Sequence, residues 1–90
     1  MHVLQTRNFK NSVKKLYANQ KKALDKAIQK IVANPEIGEQ KKGDLTGIRV
    51  YKFNMVNQLT LLGYSFNSGT ITLTLIAIGS HENFYRDLKH

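Results

Sequence analysis

Apolar residues recur every three or four positions in two early stretches and crowd together in three later ones, so the chain predicts helices followed by strands. In the first stretch Phe9, Val13, Leu16 and Tyr17 form one helical stripe from about Asn8 to Asn19, with Lys10, Lys14 and Lys15 mostly on the other side. Asn8 is the expected N-cap, preceded by a short edge strand over Val3 to Thr6. The second stretch, from about Gln20 to Ala33, puts Ala23, Leu24, Ala27, Ile28 and Ile31 on one face and Lys22, Lys26, Gln29 and Lys30 away from it. Asn34-Pro35 ends it, because proline disfavours helix in the residue before it and offers no amide hydrogen. Two helices joined this closely predict an antiparallel hairpin.

Residues 36–47 show no periodicity and are punctuated by Gly38, Gly43 and Gly47, which reads as a loop. Three β-rich runs follow, Ile48 to Asn54, Gln58 to Phe66 and Thr70 to Ile78, with turns at Asn57-Gln58 and Asn67-Ser68-Gly69. Connections this short permit only antiparallel hairpins, so the runs form a meander to which the Val3 segment adds a fourth strand. The last run becomes continuously apolar, as a central strand covered on both faces would. Gly79 stops it, and His81 to Leu88 predicts a short terminal helix. The expected fold is therefore α+β: a helical hairpin packed on a small, mainly antiparallel sheet of three to four strands, closed by a short C-terminal helix, in one domain over residues 1–90.

Charge changes the picture from fold to partner. Fourteen Lys and Arg stand against six Asp and Glu, a formal charge of +8 over 90 residues, and a polyanionic partner is the natural expectation. Solubility alone is the blander reading of the same charge. A membrane surface fits less well, since the bulky apolar residues are committed to a core. With no cysteine there is no disulfide framework, thiolate metal site or cysteine nucleophile. No early apolar run suits a signal peptide and no later one approaches the roughly 20 residues of a membrane helix, so a cytoplasmic location is expected. His2 and His90 sit at opposite chain ends, and no carboxylates cluster, so neither a metal nor a small-molecule cofactor is expected.

Candidate chemistry gathers at Gly79-Ser80-His81-Glu82-Asn83-Phe84-Tyr85-Arg86. Histidine suits proton transfer near neutral pH, which RNA cleavage by a 2′-hydroxyl needs at both the attacking and the leaving oxygen. Tyr85 lies four residues on, one helical turn away, placed to stack on a base or position a phosphate. Taken alone, the same residues fit a structural role better, with His81 capping the terminal helix and Tyr85 packing on the sheet edge. Lys41, Lys42, Arg49 and Lys52 concentrate charge near the start of the sheet, where cations hold backbone phosphates or offset a pentacoordinate phosphorane.

The order of these pieces is distinctive. An initial strand, a hairpin ending at Asn34-Pro35, the loop Gly43-Asp44-Leu45-Thr46-Gly47, the strand Arg49-Val50-Tyr51-Lys52-Phe53, its partner Leu61-Leu62-Gly63-Tyr64 and the closing Ile76-Ala77-Ile78-Gly79-Ser80-His81-Glu82-Asn83-Phe84-Tyr85 resemble the RelE/ParE superfamily of bacterial toxin–antitoxin toxins. The ending resembles the YafQ type. The resemblance implies a type II toxin that enters the ribosome and cuts mRNA without metal, stopping translation, with a cognate antitoxin as partner. It implies catalytic roles for His81, Tyr85 and Lys52, and RNA binding by Lys41, Lys42, Arg49 and Arg86. Two departures stand out: no cation occurs between Gln58 and Phe66, where RelE-type enzymes carry an arginine and this chain has Thr60 or a neighbour, and Asn54 replaces a second basic residue. Loss of the strand arginine keeps open a degenerate member that only binds antitoxin and nucleic acid; the other alternative is a ParE-like toxin that inhibits DNA gyrase without catalysis, against which the presence of His81 and Tyr85 argues.

Overall fold

The computed structural model describes residues 1–88, the Asp87 side chain excepted. His90 lies outside the described residues. In chain order the elements are β1 (His2–Gln5), α1 (Arg7–Lys14), α2 (Ala18–Ala33), β2 (Glu39–Gln40), a 3₁₀ turn (Gly43–Leu45), β3 (Arg49–Asn54), β4 (Leu59–Asn67), β5 (Thr72–Ser80) and α3 (Phe84–Leu88). The sheet has five strands in the order β1-β5-β4-β3-β2, not three or four. It is mixed, since β1 runs parallel to β5 while the other pairs are antiparallel.

Local chemistry moves two of the expected helix boundaries. Thr6, not Asn8, caps α1: its hydroxyl oxygen accepts from the Phe9 amide at 3.1 Å while donating to the Ile76 carbonyl at 2.7 Å. That one residue ties the helix start to β5. The first helix stops at Lys14 rather than Asn19, and α2 begins at Ala18, with the Tyr17 amide donating to the Gln20 side-chain oxygen at 2.8 Å. The expected terminator holds, for α2 ends at Ala33, just before Asn34-Pro35.

Both faces of the sheet are covered. Phe9, Leu24 and Ile31 of the helical hairpin bury against Leu62, Tyr64, Leu73 and Leu75. On the opposite face Phe84 packs with Val50, Leu61 and Ala77. A bulge reconciles the two layers: Gly63 pairs with Ala77 but Tyr64 pairs with Leu75, so Ile76 has no partner and the side-chain alternation of β5 flips there. Leu73 and Leu75 thus face the hairpin, while Ala77 and Gly79 face α3. This is why the run looks continuously apolar in sequence. The middle strand is β4, with β5 beside it, also interior.

The loop expected over residues 36–47 holds β2 and the 3₁₀ turn; local bonds such as Thr46 to the Gly43 carbonyl close the turn, while tertiary bonds position the backbone leading into β2. The Tyr64 hydroxyl, wholly buried, accepts from the Gly38 amide at 2.9 Å and donates to the Pro35 carbonyl at 2.7 Å. Only glycine fits at 38, because a Cβ there would lie 2.7 Å from the Tyr64 oxygen. The Arg49 guanidinium donates to the carbonyls of Gly38 at 2.9 Å and Glu36 at 3.2 Å from the same side. Burial pushes the Tyr64 phenol above the ordinary tyrosine range, against smaller opposing effects of the Gly38 amide and the Arg49 charge. A raised folded-state pKa binds the proton more tightly when folded, so the stability it contributes is intact below pH 10 and lost as pH climbs through the folded value. Tyr64→Phe is expected to remove that alkaline transition in pH-dependent denaturation and to cost about 1–3 kcal/mol at neutral pH, from two unmet backbone groups.

The β3–β4 turn centres on Val56-Asn57, both at positive φ (52° and 66°), one position earlier than the expected Asn57-Gln58. Met55 and Gln58 exchange both backbone bonds around it, at 2.8 and 3.3 Å. This is the mirror-type turn that matches strand twist, here carrying a β-branched residue in a strained conformation.

Candidate functional site

Register places the candidate residues. Lys52 pairs with Leu61 and Leu61 with Gly79, and residues two apart on a strand share a face. Lys52, Leu59, Leu61 and Gly79 therefore lie on the α3 face, and His81 follows two residues after Gly79, just beyond the last paired residues, Thr60 and Ser80. Ideal strand spacing puts the Lys52 and Gly79 Cα atoms about 10 Å apart, with buried Leu61 between them. His81 is exposed and lines a cavity of about 230 Å³ with Gln58, Leu59, Ser80 and Glu82.

The expected one-turn helical relation of His81 to Tyr85 does not hold, because α3 starts only at Phe84 and residues 81–83 form a turn. His81 consequently stands ahead of the capping position. Tyr85 is half-buried, edge-on to Phe84 with ring centroids 5.1 Å apart. The Lys41 ammonium stands 5.5 Å from the Tyr85 ring centroid and 3.2 Å from a Glu39 carboxylate oxygen. Hydrogen bonding to the Tyr85 side chain, opposed by desolvation and aided by Glu39, holds the Lys41 ammonium above the usual lysine range. β2 thus brings a cation from the central loop onto an aromatic of the terminal helix.

The other basic candidates divide. Lys42 is exposed at the start of the 3₁₀ turn. Arg86 donates to the Asn83 side-chain oxygen at 3.0 Å, bracing the turn after His81. Arg49 does not join the group: it pairs with Tyr64, faces the hairpin layer and is occupied by the two loop carbonyls. Thr60 also faces that layer, 2% exposed, its hydroxyl donating to the Gln58 carbonyl at 3.1 Å. On the site face the strand lacking an arginine offers exposed Leu59, while Leu61 is buried with Phe84. Sequence reasoning missed the contact of Lys41 with Tyr85, which joins residues 44 positions apart, and the lining role of Gln58 and Ser80 beside His81. Among the described residues no three His, Cys, Asp or Glu side chains gather to hold a metal ion, and no helix is long and apolar enough to cross a membrane.

A family model for the ParE-like toxin of type II bacterial toxin–antitoxin systems matches residues 3–89, almost the whole chain. The chain belongs to that family. No curated protein sequence matches it. Among solved structures, this toxin is similar to Escherichia coli RelE in the intact RelBE toxin–antitoxin complex, with TM-score 0.72 and 15% identity over 88% of this chain and 94% of that one. A doubly substituted E. coli RelE in the free state gives TM-score 0.75 at 15% identity, covering 98% and 88%. The YoeB/ParE toxin from Agrobacterium tumefaciens gives TM-score 0.72 at 17% identity, covering 90% and 99%. At these identities the likeness is one of fold.

Proposed function

We propose that this toxin is an endoribonuclease that cuts mRNA on the ribosome and so stops translation, held in check by a cognate antitoxin. The observation that carries this reading is the exposed His81 just past the end of β5, lining a cavity with Leu59, with exposed Lys52 two strands away on β3. His81 is the proton-transfer group: the 2′-hydroxyl gives up its proton, its oxygen attacks the adjacent phosphorus, and the departing 5′-oxygen takes a proton. Lys52 offsets the charge that builds on the phosphorane. Tyr85 orients the RNA, while Lys41, Lys42 and Arg86 supply phosphate contacts at the rim. Arg49 contributes through the loop it fastens rather than by direct contact. An antitoxin partner is supported by the RelE structures, which include complexes with the antitoxin RelB and with a RelB peptide.

The exposed apolar Leu59 on β4 favours a second reading, a ParE-like toxin that binds and inhibits DNA gyrase without catalysis; a degenerate antitoxin-binding member is the third. Labelled-precursor incorporation after induced expression separates them. Amino-acid incorporation is expected to stop first while thymidine incorporation continues. The reverse order would transfer the assignment to gyrase, and no arrest of either would leave the degenerate member.

A further inference from the structure

A second cavity, of about 260 Å³, adjoins the one at His81 across the end of the sheet, and Gln58 and Ser80 line both. Strand alternation puts it on the hairpin side: Ile78 pairs with Leu62 and, two residues along each strand, Ser80 pairs with Thr60. Its floor is apolar. Ile78 and Leu16, the latter in the bend between α1 and α2, pack against the hairpin-side core, and Met55, which lines the cavity with them, is buried.

The polar lining is neutral throughout. Gln20, Gln58 and Asn83 bring side-chain amides and Ser12, Thr60 and Ser80 bring hydroxyls, while no Lys, Arg, Asp or Glu of the described residues lines the cavity in a chain of formal charge +8. Its chemistry does not suit a phosphate. Bonds within the chain narrow what remains to offer. The Gln20 oxygen accepts from the Tyr17 amide at 2.8 Å and the Asn83 oxygen accepts from Arg86 at 3.0 Å, so both residues keep their NH₂ groups for a ligand. The Ser12 and Thr60 hydroxyls already donate to the Asn8 and Gln58 carbonyls, at 3.1 Å each.

A flat heteroaromatic ring meets these terms, with its face on the apolar floor and its edge on the amides. We infer that this cavity is a base-reading subsite beside the proposed cleavage site, taking the nucleobase that neighbours the phosphate at His81 and favouring guanine or cytosine. The preference follows from the two NH₂ donors. Guanine and cytosine each present two acceptors side by side on one edge, whereas adenine and uracil alternate donors with acceptors. The RNA strand bends around the end of β5, where Gln58 and Ser80 join the two cavities. The subsite rests on the endoribonuclease reading, which brings that strand to His81.

The test is a titration of ¹⁵N-labelled full-length toxin with each of the four nucleoside 3′-monophosphates and with ribose phosphate, read at the side-chain NH₂ resonances of Gln20, Gln58 and Asn83. The guanosine and cytidine nucleotides are expected to shift these resonances and to bind about tenfold or more tightly than the adenosine and uridine ones. Ribose phosphate should leave them in place. Gln20→Glu and Asn83→Asp keep the oxygens that hold the Tyr17 amide and Arg86 but replace the NH₂ donors, and each should abolish the preference. Gln29→Glu, the same charge change at an exposed position of α2 outside the cavity, should bind as wild type. Cleavage is not read here, so a toxin that discriminates the bases yet does not cut supports the subsite while the endoribonuclease reading falls. The inference is overturned if no nucleotide binds, if the four bind alike or adenosine or uridine binds best, if ribose phosphate moves the same resonances, or if Gln29→Glu loses as much affinity as Gln20→Glu.

Discussion

His81→Ala is expected to lower ribosome-dependent mRNA cleavage by about 10²–10⁴-fold, the usual contribution of a general acid or base, while ribosome binding stays nearly unchanged. His81 belongs to neither core cluster and is exposed in the turn after β5, so its truncation should change stability by no more than about 0.5 kcal/mol. His81→Gln preserves much of the shape without a titratable ring and should fail alike. Lys52→Ala provides the contrast. Its ammonium acts through charge at an exposed position of β3, so its defect should be smaller and shrink relative to wild type as salt rises and screens the contact. A His81→Ala enzyme that cut at the wild-type rate, folded by circular dichroism, would reduce His81 to a turn residue.

Phe84→Ala should be the most destabilising single change on the site side, costing about 3–5 kcal/mol. Phe84 is 2% exposed and closes the core of the α3 face, with Val50, Leu61 and Ala77 around it. The sheet has been hollowed to receive it: a Cβ at Gly63 would meet the Phe84 ring at 2.8 Å, and Gly79 lies against its backbone. At about 4–8 °C per kcal/mol for a domain of this size, the melting temperature should fall by at least about 12 °C. The loss reaches the site as well, since Tyr85 is held edge-on by Phe84 and Lys41 is held by Tyr85. Gly63→Val attacks the same contact from below and should give a similar loss. A melting temperature unchanged in both variants would mean that α3 is not a packed part of the fold.

The helical hairpin and the β3–β4–β5 meander were legible in the sequence because their signals are local: a 3.6-residue stripe, a proline stop and three β-rich runs at hairpin spacing. What escaped depends on distant partners. β2 is two residues long and exists because Tyr64 and Arg49 capture the backbone between Pro35 and Gly38. Thr6 displaces Asn8 as a cap because its hydroxyl also reaches a carbonyl 70 residues away. The positive φ at Val56 contradicts its β-branched side chain and is imposed by the two strands that meet there. At the site, His81 stands just past β5 and Lys52 on β3, two strands away, as the expected meander requires. The spacing of His81 to Tyr85 misled, since i and i+4 are neighbours only inside a helix and α3 begins between them. Arg49 looked like a phosphate ligand because sequence gives its charge but not the two carbonyls that occupy it.

The most direct test of the account is to incubate purified toxin with ribosomes programmed with a defined mRNA, map new RNA ends by primer extension, and repeat with free mRNA and with His81→Ala. New ends confined to the codon being decoded, present only with ribosomes and lost in the variant, are the predicted result. Intact mRNA under all three conditions, alongside inhibition of purified gyrase, would contradict it.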